Sequence, residues 1–389
     1  MKPKFGVYFH IPYCIQRCTY CDFATYEKSQ IMPPESYTNL VLKEIQQRKN
    51  FYSPQNLDTI YFGGGTPSLV DPQNILLMVS ELEKYGFIKG PDTEMTLEIN
   101  PATLTPDKMK SYIDIGFNRF SVGAQTFSNA QLKKVRREHT AEQTLETLTF
   151  LQSYGVNYSF DLLFALPGQT IEDLKLDLDQ VIHYSPSHVS PYCLTVPDEN
   201  PLAKGRPTDE TQVEMFDLIT QTLTANGYHQ YEISNFAKPG FESLHNSLYW
   251  QDQEWWGLGL SSHSYSKQTP WGVRYWNVKS IKDYEKQIMQ NETLQSPLQL
   301  PAAQFENLEK HQALTDFCHT SLRMATGLNL QHLTTKFDRE TAQLVLPICD
   351  KLVKRKWLEP IPTGYRLTQG GIVLSNQVFL ELTFMDKLS

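Results

Sequence analysis

Cys14-Ile15-Gln16-Arg17-Cys18-Thr19-Tyr20-Cys21-Asp22-Phe23 decides how the rest of the chain is read. Three of the six cysteines fall within these residues, spaced C-x3-C-x2-C, and no fourth follows nearby. Three thiolates on one short loop can hold three corners of a [4Fe–4S] cluster and leave the fourth iron open. The competing reading is a zinc ion completed by a remote ligand such as His10. Zinc sites pair their cysteines in separated C-x2–4-C knuckles, so a single tight trio favours the cluster.

Immediately upstream, residues 5–11 alternate apolar and aromatic side chains and read as a strand. Downstream, further strands are expected at 57–62, 95–99, 119–125, 158–166 and 188–196. Helices are expected at 34–50, 72–85, 105–116, 130–136 with 141–154, and 170–183. Six strand-and-helix units of about thirty residues each are the pattern of a parallel sheet built from crossovers. Polar and glycine-rich residues gather where strands end: Gly63-Gly64-Gly65-Thr66-Pro67, Glu98 before Asn100-Pro101, Gln125 and Asp161. They would share the carboxyl-end rim, where such folds place their sites. Periodicity alone fits both an open sheet and a partial barrel.

Beyond Pro197 the rhythm changes. A helix at 208–225 and a strand at 228–236 precede a stretch dense in aromatics and glycine. It holds His245-Asn246-Ser247-Leu248-Tyr249-Trp250, then Trp255-Trp256-Gly257-Leu258-Gly259 and Ser261-Ser262-His263-Ser264-Tyr265. Residues 279–290 read as helix, and 294–303, with two prolines, as a linker. The expected organisation is a barrel core at 1–200, an extension at 201–300 and a helical, winged-helix-like domain at 301–389.

A length of 389 residues is too much for one small core, and 40% hydrophobic with 20% charged residues is ordinary for a globular protein. A net charge of −8 supplies no basic field for nucleic acid. No apolar run is long enough to span a bilayer. The start, Met-Lys-Pro-Lys-Phe-Gly-Val-Tyr-Phe, runs straight into the first strand, unlike a signal peptide. A cytoplasmic, reducing location is therefore expected, with cysteines as ligands or buried thiols. Cys193, Cys318 and Cys349 sit in apolar-periodic segments and read as core thiols.

The cysteine trio with Tyr20 resembles the radical S-adenosylmethionine (SAM) enzymes. The resemblance implies a [4Fe–4S] cluster on Cys14, Cys18 and Cys21 whose open iron is chelated by the amino and carboxylate groups of SAM. An electron from the reduced cluster then cleaves the sulfonium to a 5′-deoxyadenosyl radical. It also implies an α/β fold with a partial (β/α)6 barrel. Gly64, Gly65 and Thr66 resemble the family's GGE-type segment, which binds the SAM amino group, in the form found in the coproporphyrinogen-dehydrogenase subgroup. Tyr8 in Y-x-H-I-P-x-C, Glu98 in Leu-Glu-Ile-Asn-Pro, Gln125, Arg137 and Asp161 match positions that contact SAM there. A carboxylate can hold ribose hydroxyls, and Arg137 can pair with the SAM carboxylate. Taken singly, Glu98 and Asp161 read equally well as ordinary strand-end carboxylates.

Two departures select within that subgroup. The oxygen-independent coproporphyrinogen III oxidases carry a further cysteine where this chain has Phe23, and a longer region ahead of the cluster. In both respects the chain is similar to the HemW-type heme chaperones, as it is in H-N-x-x-Y-W at His245, Tyr249 and Trp250. That resemblance implies heme binding and delivery to hemoproteins, including respiratory-chain enzymes at the membrane, without coproporphyrinogen dehydrogenase activity. Membrane attachment would then come through partners; a homodimer is left open and nucleic acid is not expected. His245 is the expected axial ligand beside the flat faces of Tyr249 and Trp250, with His263 and Cys193 as fallbacks. The plainer reading is an aromatic core with His245 hydrogen-bonded inside it. Competing functions are the oxidative decarboxylation of coproporphyrinogen III and radical SAM chemistry on another substrate.

Overall fold

The computed structural model describes residues 3–101, 103–290 and 292–385. Strand β1, Phe5–Ile11, is buried along nearly its whole length, as a strand covered on both faces requires. Strands β2 (Asn56–Gly64), β3 (Ile88–Ile99), β4 (Arg119–Gln125), β5 (Asn157–Phe164) and β6 (His188–Cys193) follow it in order, each parallel to its predecessor. Between them run α1 (Pro34–Arg48), α2 (Pro72–Lys84), α3 (Pro106–Ile115), α4 (Asn129–Lys134), α5 (Ala141–Tyr154) and α6 (Ile171–Tyr184). Local chemistry punctuates these units. Asp71, Thr105, Ser128, Thr140 and Thr170 each accept a backbone N–H at a helix start. Strand β3 starts seven residues before the expected point, because the exposed segment with Gly90-Pro91 continues the strand past an irregularity in its pairing with β2.

The sheet has twelve strands. After α7 (Asp209–Ala225), the hairpin of β7 (His229–Glu232) and β8 (Asn235–Ala237) adds to β6. At the other end the aromatic stretch supplies α8 (Leu244–Trp250) and then β9 (Glu254–Leu258). Strand β9 lies parallel to β1 as a seventh parallel strand. Strands β10 (His263–Ser266), β11 (Val273–Trp276) and β12 (Phe305–Asn307) continue antiparallel from it, with α9 (Ile281–Gln290) between the last two. The sheet ends at β12 and β7 instead of closing, so the barrel is partial.

Glu44 of α1 clamps the extension to the barrel. Its fully buried carboxylate accepts from Arg48 Nη1 (2.7 Å), Gly259 N (2.8 Å), Asn277 Nδ2 (2.7 Å) and Tyr284 Oη (2.6 Å). A second core gathers Leu314, Cys318, Leu322, Val345, Cys349 and Leu352. It belongs to α10 (Lys310–Arg323), α11 (Leu330–Phe337) and α12 (Arg339–Lys354). Three short strands join them, β13 (Leu328–Asn329), β14 (Leu358–Ile361) and β15 (Gly364–Leu367). Cys318 and Cys349 are buried free thiols in that core, as expected. Among the described residues no helix is long and apolar enough to cross a membrane.

Candidate functional site

The three-cysteine loop leaves β1 and stays close to the rim. Tyr13–Cys14 pairs in parallel with Tyr26–Glu27. Thr19 N donates to Val135 O and Cys21 N to Cys18 O, both at 3.3 Å, while Arg17 Nη2 donates to the Cys21 carbonyl at 2.9 Å. All three thiols are free and half-buried. Burial, then the neighbouring Cys21 charge, pushes the Cys14 thiol up to about 11, against the hydroxyls of Thr25 and Thr66. A thiol raised in this way becomes a thiolate only with a cation beside it. Among the described residues no three His, Cys, Asp or Glu side chains converge on a single ion. Thiolates around a cubane are differently disposed, since each takes its own iron. His10, the alternative zinc ligand, has both ring nitrogens engaged, Nδ1 with Tyr8 Oη (3.1 Å) and Nε2 with the Ala24 carbonyl (3.0 Å).

The cysteines open into a cavity of about 410 Å³ that Tyr20, Gly64, Gly65, Thr66, Glu98, Gln125, Arg137 and Asp161 also line. Sequence neighbours and residues far apart in the chain therefore meet at one rim. Gly65 N donates to Ile11 O (2.8 Å) and Thr66 N to Tyr13 O (2.7 Å), fixing the glycine loop against the lead-in to the cysteines. Gly64 has φ +112°, and a Cβ there would lie 2.6 Å from the His10 ring, so only glycine fits. Glu98 supports this loop: Oε1 accepts from Tyr61 Oη (2.8 Å) and Oε2 from Gly64 N (3.0 Å). Burial, with the Asp161 charge adding, lifts the Glu98 carboxyl to about 7. Burial lifts Asp161 to about 6, opposed by Ser190, Arg119 and Ser121.

Gln125 ends β4 at φ 71°, a left-handed conformation that a side chain rarely adopts. The turn behind it is anchored by Asp177 of α6, which accepts from Thr126 Oγ1 (2.8 Å) and Phe127 N (2.7 Å). Arg137 reaches Cys18 Sγ through Nη1 (3.6 Å) and bonds Asn100 and the Gly123 carbonyl through Nη2. Its Nε is buried with no partner among the described residues, a donor left for an incoming acceptor. Cys193 lines the same cavity, half-buried, with its thiol donating to Gln212 Oε1 (3.4 Å). It is therefore a rim residue and not the core thiol its segment suggested.

A larger cavity of about 1000 Å³ adjoins the first, and Phe23, Gly64, Glu98 and Tyr192 border both. Tyr8, Tyr61, His245, Tyr249, Trp250 and Trp255 wall it. His245 is only 1% exposed. Its Nδ1 bonds Thr59 Oγ1 (2.7 Å), its Nε2 bonds Tyr249 Oη (2.8 Å), and its ring stacks on Tyr61 at 5.0 Å. Burial, then the Arg119 charge, lowers its pKa to about 3, so the imidazole is neutral. Glu94 pins the start of α8 by accepting from Leu244 N (3.0 Å) and His245 N (2.9 Å). Trp250 carries the Arg323 guanidinium over its ring at 4.4 Å. His263 lies in the same cavity but is exposed.

Sequence reasoning missed Thr59, Tyr61 and Glu94. The alternation of Thr59, Tyr61 and Gly63 along β2 was the signal available for the first two. Glu94 lay outside the expected strand and had none.

Residues 8–181 match the family described as the radical SAM superfamily. A Lactococcus lactis protein named heme chaperone HemW is 32% identical, over 99% of this chain and 98% of its own length. This chain belongs to the HemW family. A Bacillus subtilis HemW is 30% identical over 96% of this chain and 98% of its own. The solved structure of Escherichia coli coproporphyrinogen III oxidase, HemN, superposes with a TM-score of 0.83, covering 98% of this chain and 90% of that one. At 21% identity it shows the shared fold. Family membership implies a [4Fe–4S] cluster and SAM. The free thiol trio, the glycine cradle and the unpartnered Arg137 Nε fit those groups, with Cys14, Cys18 and Cys21 as the residues that would hold the cluster.

Proposed function

We propose that this chain is a heme chaperone: it takes heme into the larger cavity and passes it to hemoproteins, respiratory-chain enzymes at the membrane among them. The observation that carries the reading is the aromatic cavity of about 1000 Å³ opening directly beside the three-thiol cavity. Tyr249, Trp250 and Trp255 offer flat faces to a macrocycle, and His245 holds Tyr249 in place from behind. Ligation of iron by His245 itself would require Nε2 to give up Tyr249 Oη.

In the smaller cavity Gly64, Gly65 and Thr66 would receive the SAM amino group and Arg137 its carboxylate. Glu98, Gln125 and Asp161 would line the nucleoside, with Tyr20 beside them on the cysteine loop, whereas Tyr8 faces the larger cavity and bonds His10. When bound, the cluster supplies an open iron for SAM and an electron for cleaving its sulfonium. The residue at the position of the oxidases' extra cysteine is Phe23, 63% exposed at the border of the two cavities.

The test is anaerobic. Reconstituted protein is titrated with hemin, mixed with an apo-hemoprotein, and separately incubated with SAM, reductant and coproporphyrinogen III. Stoichiometric binding, transfer of heme and no protoporphyrinogen are expected. Protoporphyrinogen formation, or no heme binding, overturns the reading.

A further inference from the structure

Three of the ten histidines line the large cavity: His10, His245 and His263. His10 and His245 spend both ring nitrogens on protein partners. Tyr8, Tyr61 and Tyr249 offer no phenolate, since burial holds their hydroxyls far above the ordinary range. Among the described residues no cysteine or methionine lines it. His263 alone presents an imidazole with no hydrogen bond to either ring nitrogen among the described residues.

That imidazole is also held in place. His263 opens β10 opposite Trp276 of β11, and the two rings stack at 5.8 Å and 27°. Its carbonyl accepts from Trp255 Nε1 at 3.0 Å. Strand β9 approaches so closely that a Cβ on Gly257 would lie 2.2 Å from the His263 carbonyl oxygen. Burial, then the charges of Lys279 and Arg274, lowers its pKa, which keeps it neutral and able to ligate.

The charges around it are sorted. Arg274 pairs with Glu306 and Asp316, and Lys336 with Asp252. Lys279 has no carboxylate partner among the described residues and lines the cavity near His263. Its backbone is tied to the cysteine-loop side, because Tyr26 Oη donates to the Lys279 carbonyl at 3.3 Å.

We infer that His263 is the iron ligand of this cavity and that Lys279 receives a carboxylate arm of the bound porphyrin. The inference rests on the heme-chaperone reading and makes it specific. His245, by contrast, is a positioning residue for Tyr249.

The experiment compares full-length wild type, His263→Ala, His245→Ala and Lys279→Glu by hemin titration, following the Soret band and the electron paramagnetic resonance of the ferric complex. Circular dichroism checks folding, and His263 stands at an exposed strand start, so its replacement removes the stacking on Trp276 and leaves the buried core clusters intact. His263→Ala is expected to lose the imidazole signature and at least about tenfold in affinity, and added imidazole to restore the signature. His245→Ala is expected to bind more weakly with the imidazole signature kept. Lys279→Glu is expected to weaken hemin binding while binding of the dimethyl ester, which lacks the anionic arms, stays as in wild type. An unchanged signature in His263→Ala, or its loss in His245→Ala alone, overturns the inference and leaves the chaperone reading standing. Failure of wild type to bind hemin at all instead overturns the chaperone reading.

Discussion

Replacing Gly64 by alanine tests the glycine cradle against a matched control. Gly64 has φ +112°, and the new Cβ would lie 2.6 Å from His10 Cε1 and Nδ1. The left-handed backbone costs an L-residue about 1–2 kcal/mol. His10 cannot swing away, because its ring is bonded to Tyr8 on one side and the Ala24 carbonyl on the other. Overpacking then adds about 1–3 kcal/mol. The total is about 2–5 kcal/mol, and any relief by backbone movement breaks the Gly64 N to Glu98 bond. Gly227 is the control: φ is +84° and a Cβ there meets nothing within 4 Å, so only the backbone term applies. Denaturant unfolding of both variants, and calorimetric SAM binding to anaerobically reconstituted protein, read the two effects separately. Gly64→Ala is expected to lose more stability than Gly227→Ala and about tenfold or more in SAM affinity, equivalent to about 1.4 kcal/mol. Equal losses of stability in the two variants, with SAM affinity intact, would refute the steric argument.

Asp177 is 3% exposed, and burial raises its pKa from 3.8 to about 6. The native state thus holds this proton more tightly than the unfolded chain. The stabilisation is complete below the unfolded value and is lost as pH rises through about 6. Asp177→Asn lacks the titration, so its stability relative to wild type should improve by up to about 3 kcal/mol across that window. A difference that stays flat with pH would exclude Asp177 as the cause. Glu44→Gln leaves the fully buried Arg48 guanidinium without its countercharge and is expected to destabilise by about 3–5 kcal/mol. Adding Arg48→Met should recover part of that loss in urea unfolding, and a double variant no better than the single one would argue against a charge effect.

Much of the fold was legible because it is written in short-range signals. Thr105, Thr140 and Thr170 cap helices within three residues of themselves, and Pro72 and Pro106 stand where a missing N–H does no harm. The cluster ligands were legible for the same reason, since C-x3-C-x2-C is a local spacing. What local patterns missed was strand β9. Trp255-Trp256-Gly257 reads only as part of a stretch dense in aromatics and glycine until β1 lies beside it, and its register is set by Phe5 to Phe9, some 250 residues earlier in the chain. The beginning of β3 was hidden in the same way behind Gly90-Pro91.

By itself the sequence determined the thiol trio, the glycine cradle, the βα rhythm and the His-Asn-x-x-Tyr-Trp segment, all of them features within a few residues of one another. Only the tertiary structure decided what those features face. It joined Thr59 to His245 across 186 positions, and so turned the expected iron ligand into a buried, fully bonded ring. It left His263 open beside Trp276 in the same cavity, and it set Phe23 where the two cavities meet. The physical reason is that a histidine's chemistry depends on which acceptors and donors reach its two nitrogens. Those partners come from strands that are remote in sequence and adjacent only once the sheet has formed.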